Sequence, residues 1–263
     1  MPDLALAADT LRRLHGAPLI LANVWDAATA RAVVDAGFPA LATSSAAVAA
    51  AHGFPDADAM PTETAFAAVA TIARAVSVPV TADLEAGYGL PADDLAAWLI
   101  EAGAVGCNLE DTDHHGDAVL VPAEAHADRI AAVKEAGRRH GVDLVVNARV
   151  DVYVRPAVAP AEQLAEAVRR GRIYRWAGAD CVYPIGAVDE EHIRVLVDEL
   201  GVVNVWARSQ APPIAVLRRL GVARISVGSG LFRATLAAVR RVAEHIAAGD
   251  VEWWSSAVAR EGL

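Results

Sequence analysis

Eight short β-branched runs alternate with longer helical-period stretches along nearly the whole chain, and this alternation limits the fold more than any single residue. The strand-like runs lie at 18–23, 39–43, 78–83, 105–110, 143–149, 180–184, 202–206 and 223–228. Segments rich in Ala, Arg and Glu fill the intervals at 26–36, 61–75, 92–102, 122–139, 160–177, 188–200, 212–220 and 230–247. Gly37, Gly103, Gly141, Gly178, Gly201 and Gly221 stand where helices should stop, because glycine enters the left-handed conformation without a Cβ clash. The strand runs are apolar throughout rather than alternating, which predicts a parallel sheet covered on both faces. Eight such units suit a (β/α)8 barrel, for which about 250 residues is typical. An open doubly wound sheet usually carries a glycine-rich turn after its first strand, and Leu21-Ala-Asn-Val-Trp-Asp has none. The expected fold class is therefore α/β, a TIM barrel formed as one domain over 1–263, with an extra C-terminal helical segment at 250–263. Trp253 and Trp254 in that tail need an apolar surface, on the same subunit or on a neighbour.

Composition removes several classes of function. A formal charge of −10 argues against a broad basic face for nucleic acid or anionic lipid. No uncharged apolar stretch reaches the roughly 18 residues of a membrane span, and the opening Met-Pro-Asp-Leu-Ala-Leu lacks the basic start of a secretory signal. Cys107 and Cys181 are too few for a disulfide framework and sit in apolar runs, as in a reducing compartment. The expectation is a soluble, cytoplasmic protein with a small-molecule substrate. Lys134 is the single lysine and reads as the polar face of a helix, poorly placed to supply the desolvated amine that imine chemistry needs.

In a barrel, reactive residues gather at the C-terminal ends of the strands. Those ends carry Asn23, Trp25 and Asp26; Thr43, Ser44 and Ser45; Asp83 and Glu85; Glu110 and Asp111; Asn147, Arg149 and Asp151; Tyr183; then Arg208 and Ser209. Asp83, Glu85 and Glu110 at adjacent strand ends cannot all ionise in a poorly solvated pocket without a counter-charge. A hard divalent cation supplies one, and Mg2+ fits best because it takes oxygen ligands and retains waters. Structural bridges to arginines are the alternative for any one of these acids. Gly87 and Gly89 flank Tyr88 directly after the third strand, permitting a tight turn and close backbone approach.

With these pieces in order, the chain resembles the isocitrate lyase / phosphoenolpyruvate mutase superfamily from about Leu19 to Arg241. The resemblance rests on Asn23-Val-Trp-Asp-Ala-Ala-Thr-Ala-Arg, Thr43-Ser-Ser-Ala-Ala-Val, Gly53-Phe-Pro-Asp, Asp83-Leu-Glu-Ala-Gly-Tyr-Gly, Asn108-Leu-Glu-Asp and Asn147-Ala-Arg-Val-Asp. It implies a metal site at Asp83, Glu85 and Glu110, taking Mg2+ or Mn2+ partly through water, with Glu85 standing where an Asp is usual. It further implies that Asp56 works near the metal and the reacting group. Ser44, Ser45 and Ala46 would bind the substrate carboxylate, with Trp25 as an aromatic wall and Gly87 and Tyr88 beside it. Arg149 would hold the other anionic end, which suits a planar guanidinium. A homotetramer with an exchanged C-terminal helix is implied as well.

One departure bears on the chemistry. The family's lyases carry a Lys-Lys-Cys-Gly-His loop after the fourth strand, and residues 111–122 here contain neither Cys nor Lys. His114 and His115 can replace that acid/base, since imidazole titrates near neutrality; the alternative is that both are solvated loop residues. Gly228-Ser-Gly reads as a tight turn rather than a phosphate site. The expected activity is Mg2+-dependent chemistry on a small 2-oxo acid or 2-hydroxy diacid through an enolate, with C–C cleavage first. C–P bond chemistry of the phosphonopyruvate hydrolase or mutase type is the alternative, and a non-catalytic 2-oxo-acid binder is the third reading.

Overall fold

The computed structural model describes residues 3–155, 157–250 and 252. Its strands are β1 (Leu19–Leu21), β2 (Asn23–Val24), β3 (Leu41–Thr43), β4 (Val80–Asp83), β5 (Gly106–Glu110), β6 (Val145–Val150), β7 (Cys181–Pro184), β8 (Asn204–Trp206) and β9 (Arg224–Ser226). The helices are α1 (Leu4–Leu14), α2 (Ala27–Asp35), α3 (Ser45–Ala51), α4 (Thr62–Arg74), α5 (Ala92–Glu101), α6 (Ala123–Arg139), α7 (Gln163–Trp176), α8 (Glu190–Leu200), α9 (Ile214–Arg219) and α10 (Gly230–Ala247). Every expected strand is present, and the first is split at Ala22 because β1 pairs with β9 whereas β2 pairs with β3.

All strand pairs are parallel, in the orders β2-β3-β4-β5-β6-β7 and β1-β9-β8. The chain itself joins the two sheets at Ala22, and a lone parallel bridge between Val182 and Val203 joins β7 to β8. This is the TIM-barrel arrangement with its ladder interrupted at those two places rather than continuous. The apolar runs are buried on both faces: Val145, Val146, Ala148 and Val150 of β6 are all inaccessible to solvent. The six glycines expected to stop helices all have positive φ, from 76° at Gly201 to 102° at Gly178.

Two helices were not legible beforehand. Helix α1 is capped by Asp3, whose carboxylate accepts from Leu6 N at 3.1 Å, and it buries Ala8 and Leu11 in the core. Its Arg12 reaches Asp180 at 2.7 Å and Asp143 at 2.9 Å. Lys134 joins the same acids at 3.0 and 2.9 Å and donates to Leu144 O at 2.7 Å. Lys134 is therefore buried, against the expectation of a solvated helix face, because two carboxylates and a carbonyl satisfy its ammonium. That engagement keeps it from imine chemistry for a firmer reason than exposure. Helix α3 follows β3 directly and is only seven residues long, too short to show a period.

Cys107 and Cys181 are free and buried, and burial pushes both thiols up to about 12. Trp253 and Trp254, and with them most of the expected C-terminal segment, lie outside the described residues. Among the described residues, no helix is long and apolar enough to cross a membrane.

Candidate active site

The C-terminal ends of β2 to β9 surround a cavity of about 280 Å³. Asn23, Ser44, Ser45, Ala46, Asp56 and Asp83 line one side of it, and Asn108, Arg149, Tyr183 and Ser226 the other. Six of the residues expected at the site thus share one space: Ser44, Ser45, Ala46, Asp56, Asp83 and Arg149. A neighbouring cavity of about 300 Å³ takes Asp58, Glu110, His114 and His115.

Asp83 ends β4 with its carboxylate fixed from two directions. Ser45 donates to Oδ2 through both its backbone N (3.1 Å) and its hydroxyl (2.9 Å), while Asn108 Nδ2 donates to Oδ1 at 3.0 Å. Ser45 is therefore spent on Asp83, leaving the Ser44 hydroxyl and Ala46 N–H at the start of α3 to face a ligand. Ser44 Oγ caps that helix, accepting from Ala47 N at 3.4 Å. First-turn backbone donors have no intrahelical acceptor.

Arg149, at the end of β6, is largely buried with its side chain 17% exposed, and it lines the first cavity. Its Nε and Nη2 grip Asp151 at 2.7 and 2.9 Å, and Nη1 meets Glu110 Oε2 at 2.5 Å. Burial works against the guanidinium charge, but Glu110, Asp151 and Asp83 outweigh it and hold its pKa raised. Behind Asp151 stands a lock that sequence reading missed. Asp111 accepts from Asp151 N at 2.9 Å, from Tyr174 OH at 2.7 Å and from Arg170 Nη1 at 3.0 Å. Thr112 Oγ1 adds a bond to Asp151 at 2.5 Å.

The three carboxylates expected at the metal do not converge as one direct cluster. Glu85 accepts from Asp58 N at 2.5 Å and from Tyr88 OH at 3.2 Å. Glu110 is held by Arg149 on one side and by His114 Nε2, 2.6 Å from Oε1, on the other. Among the described residues, the grouping whose donor atoms all lie within 4.8 Å of one another is Asp58, Glu85 and His114. Asp58 carried no sequence signal beyond lying two residues past Asp56.

Burial raises the Glu85 carboxyl to about 8, and the carboxylates of Asp56, Asp58 and Asp83 push the same way against the Asp58 N–H bond. Asp56 is raised by burial and by Asp83, Asp58 by burial, and Glu110 by burial despite Arg149 and His114. His114 is raised, chiefly by its bond to Glu110. Four acids therefore crowd one corner while the nearest guanidinium already grips Asp151 and Glu110. That unbalanced charge fits a divalent cation.

Other expected residues lie elsewhere. Trp25 is buried edge-on to Phe232 of α10, at 5.0 Å between ring centres, and is not among the cavity-lining residues. Gly87 turns at φ 92°, a backbone conformation that side-chain-bearing residues rarely adopt, so glycine is needed for the turn. Tyr88 serves Glu85, and the His115 side chain is 65% exposed. Gly228, by contrast, lines the first cavity with Ser229 in a turn whose N–H groups, those of Gly228 and Val227, donate to Asn23 Oδ1 at 2.9 and 3.0 Å.

An acid-rich pocket at the carboxyl ends of a parallel barrel, facing a half-buried arginine, defines a class of enzymes that act on small anionic substrates. Residues 11–247 match the phosphoenolpyruvate phosphomutase family, and the chain belongs to the phosphoenolpyruvate mutase / isocitrate lyase superfamily of lyases and mutases. A provisionally named phosphonomutase of Burkholderia cenocepacia J2315 is 40% identical with a TM-score of 0.84, over 90% of this chain and 99% of that one. Crystalline 2,3-dimethylmalate lyase is 27% identical with a TM-score of 0.81, over 91% and 87%. Among curated relatives, 2-methylisocitrate lyase of Bacillus subtilis is 29% identical over 74% of this chain and 65% of its own length.

Proposed function

We propose that the chain is a metal-dependent lyase that cleaves a C–C bond in a small 2-oxo acid or 2-hydroxy di- or tricarboxylate, through an enolate. The observation that carries this reading is the single cavity in which Asp56, Asp83, Ser44, Ala46 and Arg149 meet. At about 280 Å³, just below the usual range for ligand pockets, it suits a compact acid.

A divalent cation, Mg2+ by the resemblance or Mn2+, supplies positive charge for the developing enolate oxygen when bound. Asp83, Glu85 and Glu110 are the holders that the resemblance implies, directly or through water. The Ser44 hydroxyl and Ala46 N–H donate to one substrate carboxylate. Arg149, anchored by Asp151, presents fixed positive charge toward the other end, and such preorganised charge is worth more where water is excluded. Asp56 lines the same space with its pKa raised by burial, so it holds or releases a proton near the reacting carbon. His114 is tied to Glu110 and His115 stands 3.4 Å from Asp58 Oδ2, both on the neighbouring cavity.

A second reading, C–P bond chemistry, is favoured by Arg155 in the same cavity beside Arg149, two cations for a phosphonate dianion. The test is a panel of malates, 2-oxo acids and phosphonopyruvate with Mg2+ or Mn2+. Turnover on a malate or 2-oxo diacid, abolished by EDTA and restored by metal, is expected. Consumption of phosphonopyruvate alone would replace the lyase by the second reading. A raised melting temperature without turnover on any member would make the protein a binder.

The proposal includes assembly as a homotetramer. None of the 18 residues of α10 is buried, and Leu236, Val239 and Ile246 expose apolar side chains along it. A second copy would cover that face. Light scattering of Leu236→Glu/Val239→Glu should then report a smaller mass than the parent chain; an unchanged mass would remove α10 from the interface.

A further inference from the structure

We propose that Asp58, Glu85 and His114 form a divalent metal site with one nitrogen ligand, which selects a borderline transition ion over Mg2+. The inference rests on the metal dependence proposed above and names the ligands and the metal class. Each of the three residues offers one donor atom, all within 4.8 Å of one another. For an ion held at about 2.0–2.2 Å from nitrogen and carboxylate donors, two ligand atoms lie at most ~4.4 Å apart. Small side-chain adjustments therefore close the site.

A second observation points to a cation independently of that spacing. The Asp58 side chain is only 1% exposed, and its carboxylate is met only by the Ala86 N–H and by His115, neither at good hydrogen-bonding geometry. The His115 imidazole stands 3.4 Å from Oδ2 and is itself largely solvated. A buried carboxylate with such poor donors costs several kcal/mol unless a charge compensates it. The chain invests backbone strain in placing this acid, since Ala57, Asp58 and Glu85 all hold positive φ, at 74°, 54° and 53°.

His114 has the support expected of a metal-bound imidazole. Its Nε2 lies 2.6 Å from Glu110 Oε1, and Glu110 is in turn paired with Arg149. A ring that donates its Nε2 proton to a carboxylate keeps the Nδ1 lone pair for a cation, and such partners orient and strengthen histidine ligands. Glu110 thus becomes a positioning residue rather than a direct ligand. The cavity of about 300 Å³ that borders Asp58, Glu110 and His114 gives an ion its entry path. One imidazole with two carboxylates suits Mn2+, Co2+ or Zn2+ better than Mg2+, which prefers oxygen and keeps its waters.

Mn2+ and Co2+ serve as probes on the full chain. Electron spin-echo modulation of the Mn2+-loaded protein should show a directly bound 14N, and His114→Gln should abolish it. Mn2+ affinity should fall by about 10- to 100-fold or more in His114→Gln and by about 10- to 100-fold in Glu110→Gln. Mg2+ should compete weakly with Mn2+ in the parent protein and better in His114→Gln. Absence of the nitrogen signal in the parent protein overturns the proposal without requiring any variant to fold. So does Mn2+ binding that is lost in Asp83→Asn but unchanged in both His114→Gln and Asp58→Asn. These readouts do not use turnover, so a correct metal site on an inactive protein is told apart from a wrong one.

Discussion

Replacing Asp111 by alanine is expected to lower stability by about 3–5 kcal/mol, the range for removing one partner of a buried ion pair. The carboxylate is fully buried and accepts from Arg170 Nη1, Tyr174 OH and Asp151 N. Its loss strands a cation, a phenol and a backbone N–H in a region closed to water. Arg170 keeps a bond to Glu166 at 2.8 Å and to Val121 O at 3.0 Å, which limits the damage without replacing the acid. For a chain of this size the loss corresponds to a melting point lower by roughly 6–20 °C. Asp111→Asn keeps one acceptor oxygen and should lose about half as much. Urea titration and calorimetry measure both. A change below about 1 kcal/mol in Asp111→Ala would mean that Arg170 and Tyr174 find other partners, and that the lock carries no weight.

That lock also explains how much of the site could be read in advance. The barrel was legible because glycine stops and fully apolar strands are local signals, each set by backbone sterics and by burial on both faces. The strand-end residues Asp83, Glu110 and Arg149 followed from the same frame, since a barrel projects them toward one mouth. Which partner each side chain meets is a tertiary fact. Arg149 reads as a free guanidinium in the sequence, but Asp151 and Glu110 occupy its edge in the fold. Lys134 reads as solvated because a helical period says nothing about acids arriving from β7 and from the turn before β6. Asp58 left no trace in spacing, and Asn108 entered only as the first residue of Asn108-Leu-Glu-Asp, although it lies two residues before Glu110 and so shares its face of β5. Helix α3, seven residues of mostly alanine, is too short for periodicity and is fixed by the Ser44 cap.

Asp83→Asn is expected to cost turnover about 10²–10³-fold, the size of effect seen when one preorganised electrostatic group is lost. The wild-type carboxylate receives three donors: Ser45 N, Ser45 Oγ and Asn108 Nδ2. An amide in its place turns one of its own donors toward these groups, so at least one N–H or O–H loses its acceptor. That conflict is worth about 1–3 kcal/mol of stability. The catalytic loss has a separate origin, because the variant removes negative charge beside Glu85 and Arg149 without emptying the cavity. Ser45→Ala supplies the control. It deletes the hydroxyl bond but keeps the backbone N–H on Asp83, so it should cost about 1 kcal/mol of stability and much less turnover than Asp83→Asn. Rates are compared on whichever acid of the panel is consumed, with the melting temperature measured on the same preparations. Should Asp83→Asn retain more than half the parent rate, Asp83 is a structural acceptor for α3 and Asn108, and the chemistry belongs to the corner of Asp58 and Glu85.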